Sequence, residues 1–359
     1  MTAPNDVLVI GVGAVTPIGS SAAETAASLG AGVFRFAERA WEAREGGDTG
    51  SEPLVVAEVP DDVLPDLAEG IAADPAVTDR EGRLLRLAAA ALPGVVEAFG
   101  PTAGPVGLVL ALPDGGAGPA DGAAFLARLA IQTGGAFDPA GSAPIARGRA
   151  GGLVAVGEAA ARIGNGQAHF MLAGGVDSLC DPSILAALDR EGRLRSADRP
   201  AGLVPGEAAA FLSLASRHAA ATLGLTALAR LSITMAGFED AHLLSDEPCL
   251  GDGLTAVLEA LFEYAAPAGP VGAVYDPQNG EAYWGREWGT AFLRNRAAFD
   301  PEARLTSPLV HLGDCGAAAG AVCCAVAVGD VLAGVNPGPG LVCMGSDDGE
   351  RAALLVSPP

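Results

Sequence analysis

Short apolar runs rich in β-branched residues alternate with Gly- and Ala-rich segments of helical length, and the alternation occurs twice along the chain. Short apolar runs bounded by turn residues predict buried strands, and longer segments with helical periodicity predict helices. The predicted strands are residues 7–10, 106–112, 168–173 and 208–214, then 228–236, 271–275, 341–344 and 352–356. The predicted helices are residues 22–29, 83–99, 123–132, 151–163 and 182–188, then 253–263 and 316–333.

Strands that alternate with helices are typical of a layered α/β domain. Because the pattern repeats, we expect two similar halves packed together, formed by residues 1–217 and 218–359. Pro93 is expected to break or kink the helix that contains it. The segments 36–80 and 113–148 have no periodic pattern strong enough to indicate their role.

Composition and charge exclude several classes of protein. Half of the 359 residues are hydrophobic and 18% are charged, which favours a folded core over disorder. The formal net charge of −22 disfavours binding to nucleic acids or to anionic membranes, and would attract a basic partner. The chain has no signal-like basic start, and its longest apolar stretch, residues 309–329, contains His311 and Asp314. We therefore expect a cytoplasmic protein without a membrane span.

The cysteines do not form a recognisable metal or redox motif. No C-x-x-C pair and no neighbouring His cluster is present, so the sequence predicts no metal site. Most of them lie in apolar runs, which predicts buried free thiols in a reducing compartment. The six are Cys180, Cys249, Cys315, Cys323, Cys324 and Cys343.

Common cofactor and hydrolase motifs are also missing. Gly11 and Gly13 follow a predicted strand, but Thr16 occupies the third glycine position of a dinucleotide-binding turn. The sequence contains neither a G-x-S-x-G elbow nor a P-loop, and we expect no cofactor. His169 lies in a predicted buried strand, and of the four histidines only His311 is close to a Gly-rich, apparently buried segment.

Four segments resemble motifs of the β-ketoacyl-acyl-carrier synthases and occur in the order of that family. They are residues 9–19 (VIGVGAVTPIG), 173–177 (AGGVD), 202–209 (GLVPGEAA) and 313–320 (GDCGAAAG). The resemblance implies a duplicated, five-layered αβαβα thiolase fold, usually found as a dimer. It also implies a pocket in which a cysteine thiolate attacks an acyl thioester while two histidines stabilise the developing oxyanions.

The catalytic residues of that family are replaced in this chain. The position of the nucleophile falls on Arg149, and the two histidine positions fall on Asn279 and Asp314. An arginine stays protonated and cannot attack a thioester, and an ionised aspartate would repel an oxyanion. No cysteine precedes Cys180, so a small error of register would not restore the nucleophile. Since a buried arginine needs a counter-ion, we predict an ion pair between Arg149 and Asp314 across the pocket.

A second resemblance is to the thiolase-like proteins found beside type VI secretion effectors. It rests on residues 174–178, 181–182, 204–209, 249–251, 279–283, 288–289, 313–314 and 346–349. This resemblance implies an accessory or adaptor role in effector handling, with a protein effector as partner.

Three interpretations follow from the residues and the resemblance. The first is a non-catalytic binding or adaptor protein in which Arg149, Asn279 and Asp314 line the old pocket. The second is an acyltransferase with a relocated nucleophile, in which Cys315 supplies the thiolate, Asn279 the oxyanion donor and His311 the base. The third is an inactive partner subunit of an active synthase, present in a heterodimer with a thiolase-fold paralogue and not in a homodimer.

Overall fold

The computed structural model describes residues 7–41, 53–100, 104, 106–114, 118–119 and 121–359. Within them the strands are β1 (Val7–Val15), β2 (Ala37–Arg39), β3 (Leu54–Val56), β4 (Gly107–Ala111), β5 (Ala143–Ile145), β6 (Phe170–Ser178), β7 (Glu207–Ser216), β8 (Ala229–Leu231), β9 (Met235–Phe238), β10 (Val271–Tyr275), β11 (Phe299–Thr306), β12 (Gly340–Gly345) and β13 (Glu350–Ser357). The helices are α1 (Ala22–Gly30), α2 (Glu69–Ala72), α3 (Asp79–Ala91), α4 (Pro93–Glu97), α5 (Gly122–Gln132), α6 (Gly151–Gly164), α7 (Pro182–Arg190), α8 (Arg217–Leu223), α9 (Asp252–Ala265), α10 (Ala282–Arg294), α11 (Pro308–Leu312) and α12 (Ala319–Leu332).

Most of the described strands belong to one continuous sheet. Its order is β11-β10-β12-β13-β8-β1-β7-β6-β4-β5, with β9 paired to β13. The strands that precede residue 217 lie at one end of this order and the later strands lie at the other. The short strand β8 pairs with both β1 and β13 and so joins the two groups.

Five layers are visible in the packing of helices on these strands. Helices α6 and α12 lie in the centre and share one hydrophobic core with the inner faces of both strand groups. Helices α3, α4 and α5 cover the outer face of the first group, and α9 and α10 cover the outer face of the second. The predicted five-layered α/β thiolase fold is therefore confirmed, while the boundary between residues 217 and 218 stays a prediction.

Small residues allow the two central helices to touch. A Cβ atom placed on Gly152 of α6 would lie 2.5 Å from the backbone nitrogen of Ala321. One placed on Gly320 of α12 would lie 2.6 Å from the backbone nitrogen of Leu153. Because no real Cβ approaches backbone that closely, the contact requires glycine on both helices. This contact holds the start of α6, where the candidate site lies, against the start of α12.

Several helices and strands begin or end at residues other than those predicted from the sequence. The predicted helix 83–99 is divided at Pro93 into α3 and α4, as expected for proline. The predicted strand 228–236 is two strands, β8 and β9. The prediction that His169 lies in a buried strand is wrong, because β6 begins at Phe170 and His169 is exposed.

Several elements were not predicted from the sequence, namely β2, β3, β5, β11, α2, α8, α10 and α11. Strand β11 contains Pro301 and three charged residues and has partners on one side alone, so it lacks an apolar run. Helix α10 and the short strand β5 were missed as well. The segments without a predicted role contain β2, β3 and α2, then α5 and β5; residues 42–52, 115–117 and 120 lie outside the described residues.

None of the helices within the described residues combines the length and the hydropathy needed to cross a membrane.

Candidate functional site

Arg149, which the resemblance aligns with the family's nucleophile, lies on a tight turn before α6, formed by residues 148–150. Gly148 has a φ of +52°, in the left-handed region, and there is little room for a side chain beside Ser346. The hydroxyl of Ser346 accepts a hydrogen bond from the Ala150 amide at 2.9 Å and donates one to the Arg147 carbonyl at 2.6 Å. These bonds fix the turn against the loop after β12 and point the side chain of Arg149 into the protein.

The guanidinium of Arg149 is surrounded by fixed partners. Its Nη2 donates to the carbonyl of Pro277 at 2.6 Å, and its Nη1 donates more weakly to the carbonyl of Gly345 at 3.4 Å. The Cζ atom lies 4.3 Å from the centre of the Trp284 ring, in a cation–π arrangement. Only 5% of Arg149 is exposed, so its charge is compensated by the protein and not by solvent.

The predicted ion pair is present. Nε of Arg149 lies 3.0 Å from Oδ2 of Asp314, although the N–H is not aligned for a hydrogen bond. Oδ2 also accepts from the Asn279 amide at 2.6 Å, and Oδ1 accepts from the backbone amide of Gly316 at 3.0 Å. Asp314 is 1% exposed. Arg149 and Asn279, which the resemblance aligns with two of the family's catalytic positions, therefore both contact Asp314, which it aligns with the third.

The side-chain amide of Asn279 is fully used within the protein. One N–H points to Asp314 and the other donates to Oε2 of Glu281 at 3.0 Å. An amide nitrogen carries two hydrogens, so neither is left for a ligand. Asn279 cannot act as an oxyanion donor in this arrangement.

Glu281 links this group to a second arginine, Arg193, which is partly buried. Arg193 binds the two oxygens of Glu281 through Nε and Nη2, at 2.8 and 2.9 Å, and its Nη1 lies 2.7 Å from Asp347. Burial alone would raise the pKa of the Glu281 carboxyl, but the bonds from Arg193 and Asn279 outweigh burial and lower that pKa. We call the connected set the pocket network; it comprises Arg149, Arg193, Asn279, Glu281, Trp284, Asp314 and Asp347.

A cavity of about 320 Å³ lies beside the pocket network. Arg149, Asp314 and Arg193 form part of its wall, and the apolar part of the wall includes Leu188 and Leu203. Asn279, Cys315 and His311, which were predicted to bind in the pocket, are not among the described residues that line the cavity. The charged side chains of Arg149, Asp314 and Arg193 are therefore already paired with one another or with neighbouring residues of the protein.

Cys315 and His311 do not form a catalytic pair. Cys315 is fully buried, and burial together with the charge of Asp314 raises the pKa of its thiol well above the ordinary value. The ring of His311 is partly exposed and stacks on Phe34 with 4.1 Å between ring centres. Its Nδ1 lies 3.4 Å from the carbonyl oxygen of Val33. His311 thus packs against residues 33–34. It has no contact with the pocket network among the described residues.

Asp177 is a further buried group beside the cavity. Its Oδ2 accepts from the Ala317 amide at 2.9 Å, and its Oδ1 accepts from the Ser178 amide and from Arg80 at 2.7 and 2.8 Å. Burial raises the pKa of Asp177 to about 6 despite these donors. The carboxylate fixes the start of the turn that leads into α12.

Sequence reasoning missed four members of the pocket network. Arg193, Glu281, Trp284 and Asp347 were not predicted as site residues, although Glu281 and Trp284 follow closely after Asn279 in the chain. Their proximity to Asn279 was the available signal. Arg193 is 88 residues before Glu281 in the sequence, and no local pattern indicates that pairing.

Comparison with known proteins agrees with this fold. Residues 148–220 match the family model of the beta-ketoacyl synthase N-terminal domain, and this match begins at the turn that carries Arg149. No curated protein matches the sequence.

Solved structures resemble the whole chain. A chain of the complex AntDE:AntF, a type II PKS acyl-carrier protein with its ketosynthase bound to the hexaketide, has a TM-score of 0.78 at 17% identity, covering 99% of this chain and 100% of that one. A chain of the ishigamide ketosynthase/chain length factor has a TM-score of 0.75 at 19% identity, covering 99% of both. The ketosynthase from module 6 of the bacillaene synthase from Bacillus subtilis 168 gives 0.75 at 15%, covering 98% of this chain and 71% of that one. The chain thus has the thiolase fold of the ketosynthases, and its segment 148–220 matches the N-terminal domain of the beta-ketoacyl synthases.

Proposed function

We propose that this chain is a non-catalytic protein of ketosynthase fold that serves as a binding or adaptor module. The proposal rests on the position and the contacts of Arg149. It stands where the resembling family has its nucleophile, and it is held by Asp314, two backbone carbonyls and Trp284. A guanidinium stays protonated and provides no lone pair to attack a thioester.

The surroundings of Arg149 oppose acyl transfer for a second reason. Oxyanion stabilisation requires free donors aimed at the position where negative charge develops. Both N–H groups of Asn279 are used within the protein, and Asp314 contributes a carboxylate. At these two positions the pocket network therefore offers a carboxylate and an amide without a free N–H, and neither can stabilise an oxyanion.

The relocated-nucleophile alternative requires a reactive Cys315. A thiol becomes nucleophilic when its pKa is lowered and solvent can reach it. Cys315 is buried and its pKa is raised. We expect iodoacetamide at neutral pH to modify Cys249, the one cysteine that is not fully buried, and to leave Cys315 unmodified until the protein is denatured.

The test of the proposal is intact-mass spectrometry after incubation with a panel of acyl-CoA and acyl-carrier thioesters. We expect no acyl adduct from any donor. A stable adduct that disappears in Cys315→Ala would overturn the proposal and establish an acyltransferase with a relocated nucleophile. The matched control is Cys180→Ala, since Cys180 is also buried but does not neighbour Asp314.

A second candidate function is an inactive partner subunit of an active synthase. The similarity to a ketosynthase/chain length factor structure favours it, because the chain matches almost the full length of that protein. Co-expression with a cysteine-bearing thiolase-fold paralogue distinguishes the two candidates. A stoichiometric heterodimer would support the partner subunit, and a homodimer that forms in the presence of the paralogue would support the stand-alone adaptor.

We further propose that the adaptor acts in effector handling, the role implied by the resemblance to proteins found beside type VI secretion effectors. The net charge of −22 would favour a basic surface on the effector. Pull-down with type VI secretion effectors as bait, at low and at high salt, tests this role. We expect binding that weakens as salt rises; absence of binding at both salt concentrations would remove the effector role.

A further inference from the structure

A second group of ionisable side chains lies outside the cavity wall. Glu239 follows β9, Cys249 lies in the loop before α9, and Glu287 belongs to α10. One ligand atom of each lies within 4.8 Å of the other two. We call these three residues the acidic–thiol cluster. Glu239 is 3% exposed and Glu287 is fully buried, whereas Cys249 is partly exposed.

The carboxylate of Glu287 is only half satisfied. Its Oε1 accepts from Nε of the fully buried Arg351 at 2.7 Å, and the Cys249 sulfur lies 3.9 Å from that oxygen. Its Oε2 is buried and has no hydrogen-bond partner among the described residues. An unpaired buried carboxylate oxygen is costly in a folded protein unless a proton or a cation meets it.

The charges of the cluster are also unbalanced. Both oxygens of Glu239 accept hydrogen bonds from backbone amides, from Gly253 at 2.8 Å and from Ala241 at 3.2 Å. Arg149 also acts on Glu287, but its charge is paired with Asp314, so two ionised carboxylates beside Arg351 carry one excess negative charge. With the thiol of Cys249 ionised as well, the excess is two negative charges, which one divalent cation would neutralise.

We propose that the acidic–thiol cluster binds one divalent zinc ion through Cys249, Glu239 and Glu287. Zinc accepts thiolate and carboxylate ligands together, and a water molecule can complete four ligands from the exposed side of Cys249. Binding releases the thiol proton of Cys249 to solvent, together with any proton on Glu287. Ligand atoms around tetrahedral zinc are roughly 3.5 Å apart, so the cluster has to contract by about 1 Å on binding.

The sequence did not predict this site. Glu239 and Glu287 are 48 residues apart and belong to different elements, so no short spacing motif connects them with Cys249. Glu239 directly follows β9, and β9 and α10 pack beside α9 in one hydrophobic core.

The test is a Co²⁺ titration of the full-length, chelator-treated protein, followed by displacement with Zn²⁺. Cobalt reports a bound thiolate through charge-transfer absorption in the near ultraviolet. We expect one Co²⁺ per chain by native mass spectrometry, with the absorption lost on addition of Zn²⁺. Cys249→Ser is expected to abolish the absorption and to weaken Zn²⁺ binding by at least roughly tenfold, and the control Cys180→Ser is expected to change neither.

Glu239→Gln provides a second variant, because it leaves the bond between Arg351 and Glu287 in place. Glu239→Gln is expected to weaken Zn²⁺ binding. The thiolate absorption band of the variant saturated with Co²⁺ should remain. The proposal is overturned if the wild-type protein takes up neither metal, or if Zn²⁺ binds equally well to wild type and to Cys249→Ser. It does not depend on the proposed function, since metal binding is measured without an acyl donor or a protein partner.

Discussion

Arg149 and Asp314 form an ion pair shielded from water on both sides, with side-chain exposures of 6% and 1%. Removing one partner of such a pair leaves a buried charge without compensation, which typically costs about 3–5 kcal/mol. Asp314→Asn is therefore expected to lower the free energy of unfolding by about 3 kcal/mol, as measured by denaturant titration.

The exposed pair of Asp252 and Arg294 supplies the matched control for Asp314→Asn. These side chains are 69% and 41% exposed, and their atoms lie 2.6 Å apart. Since exposed pairs contribute little, Asp252→Asn is expected to cost about 1 kcal/mol or less. Equal losses in the two variants would contradict the assignment of Arg149 and Asp314 as a buried, mutually dependent pair.

Asp177 should give the stability a measurable pH dependence. Burial raises its folded-state pKa from 3.8 to about 6, so between these values the folded protein binds the proton more tightly than the unfolded chain does. The contribution of this group to stability is complete below about pH 4 and decreases as the pH rises through 6. We expect wild type to lose stability relative to Asp177→Asn over this range, on the order of 3 kcal/mol.

Denaturant titrations of both proteins at several values between pH 4 and pH 7 measure that difference. Comparing the two proteins at each pH cancels the titration of the other groups, including Glu281, whose lowered pKa acts in the opposite direction. A difference that does not change with pH would show that Asp177 has an ordinary pKa in the folded state.

At the scale of the elements, the contact between α6 and α12 depends on glycine. Gly152→Ala places a methyl group against the backbone of α12, and overpacking of this kind costs about 1–3 kcal/mol. The control is Gly164→Ala at the end of the same helix, where nothing lies within 4 Å of the added atom. We expect Gly164→Ala to be neutral or to stabilise by up to about 1 kcal/mol, because alanine favours the helix. Thermal unfolding of both variants measures these effects. A Gly152→Ala variant as stable as Gly164→Ala would contradict the contact between α6 and α12.

The elements themselves were predicted to different degrees. The apolar run of β7 and the almost wholly buried α12 were evident because apolar residues dominate their sequences, with Ser213 and Asp330 as the polar residues inside them. β11 was missed, since an edge strand with one partner tolerates proline and charge. The predicted strand 228–236 was divided because β8 and β9 take different positions beside β13.

At the scale of the whole molecule, the two strand groups share the core formed around α6 and α12. Neither half can bury its inner face without the other, so we expect a single cooperative unfolding transition. Calorimetry and far-ultraviolet circular dichroism should give the same midpoint, and Gly152→Ala should shift that transition as a whole. Two separate transitions would contradict the shared core and indicate halves that unfold independently.

The sequence alone predicted the α/β layering, the alignment of Arg149, Asn279 and Asp314 with the catalytic positions of the resembling family, and the pairing of Arg149 with Asp314. These follow from residue types at fixed positions, because an arginine forced into a pocket requires a counter-charge. Only the tertiary structure decided that Asn279 has no free donor, that Cys315 is buried and that His311 stacks on Phe34. It also brought Arg193 to Glu281, and Glu239 to Cys249 and Glu287. Those contacts join residues that are far apart in the chain, and their distances and burial are set by how the layers pack, which a local pattern does not encode.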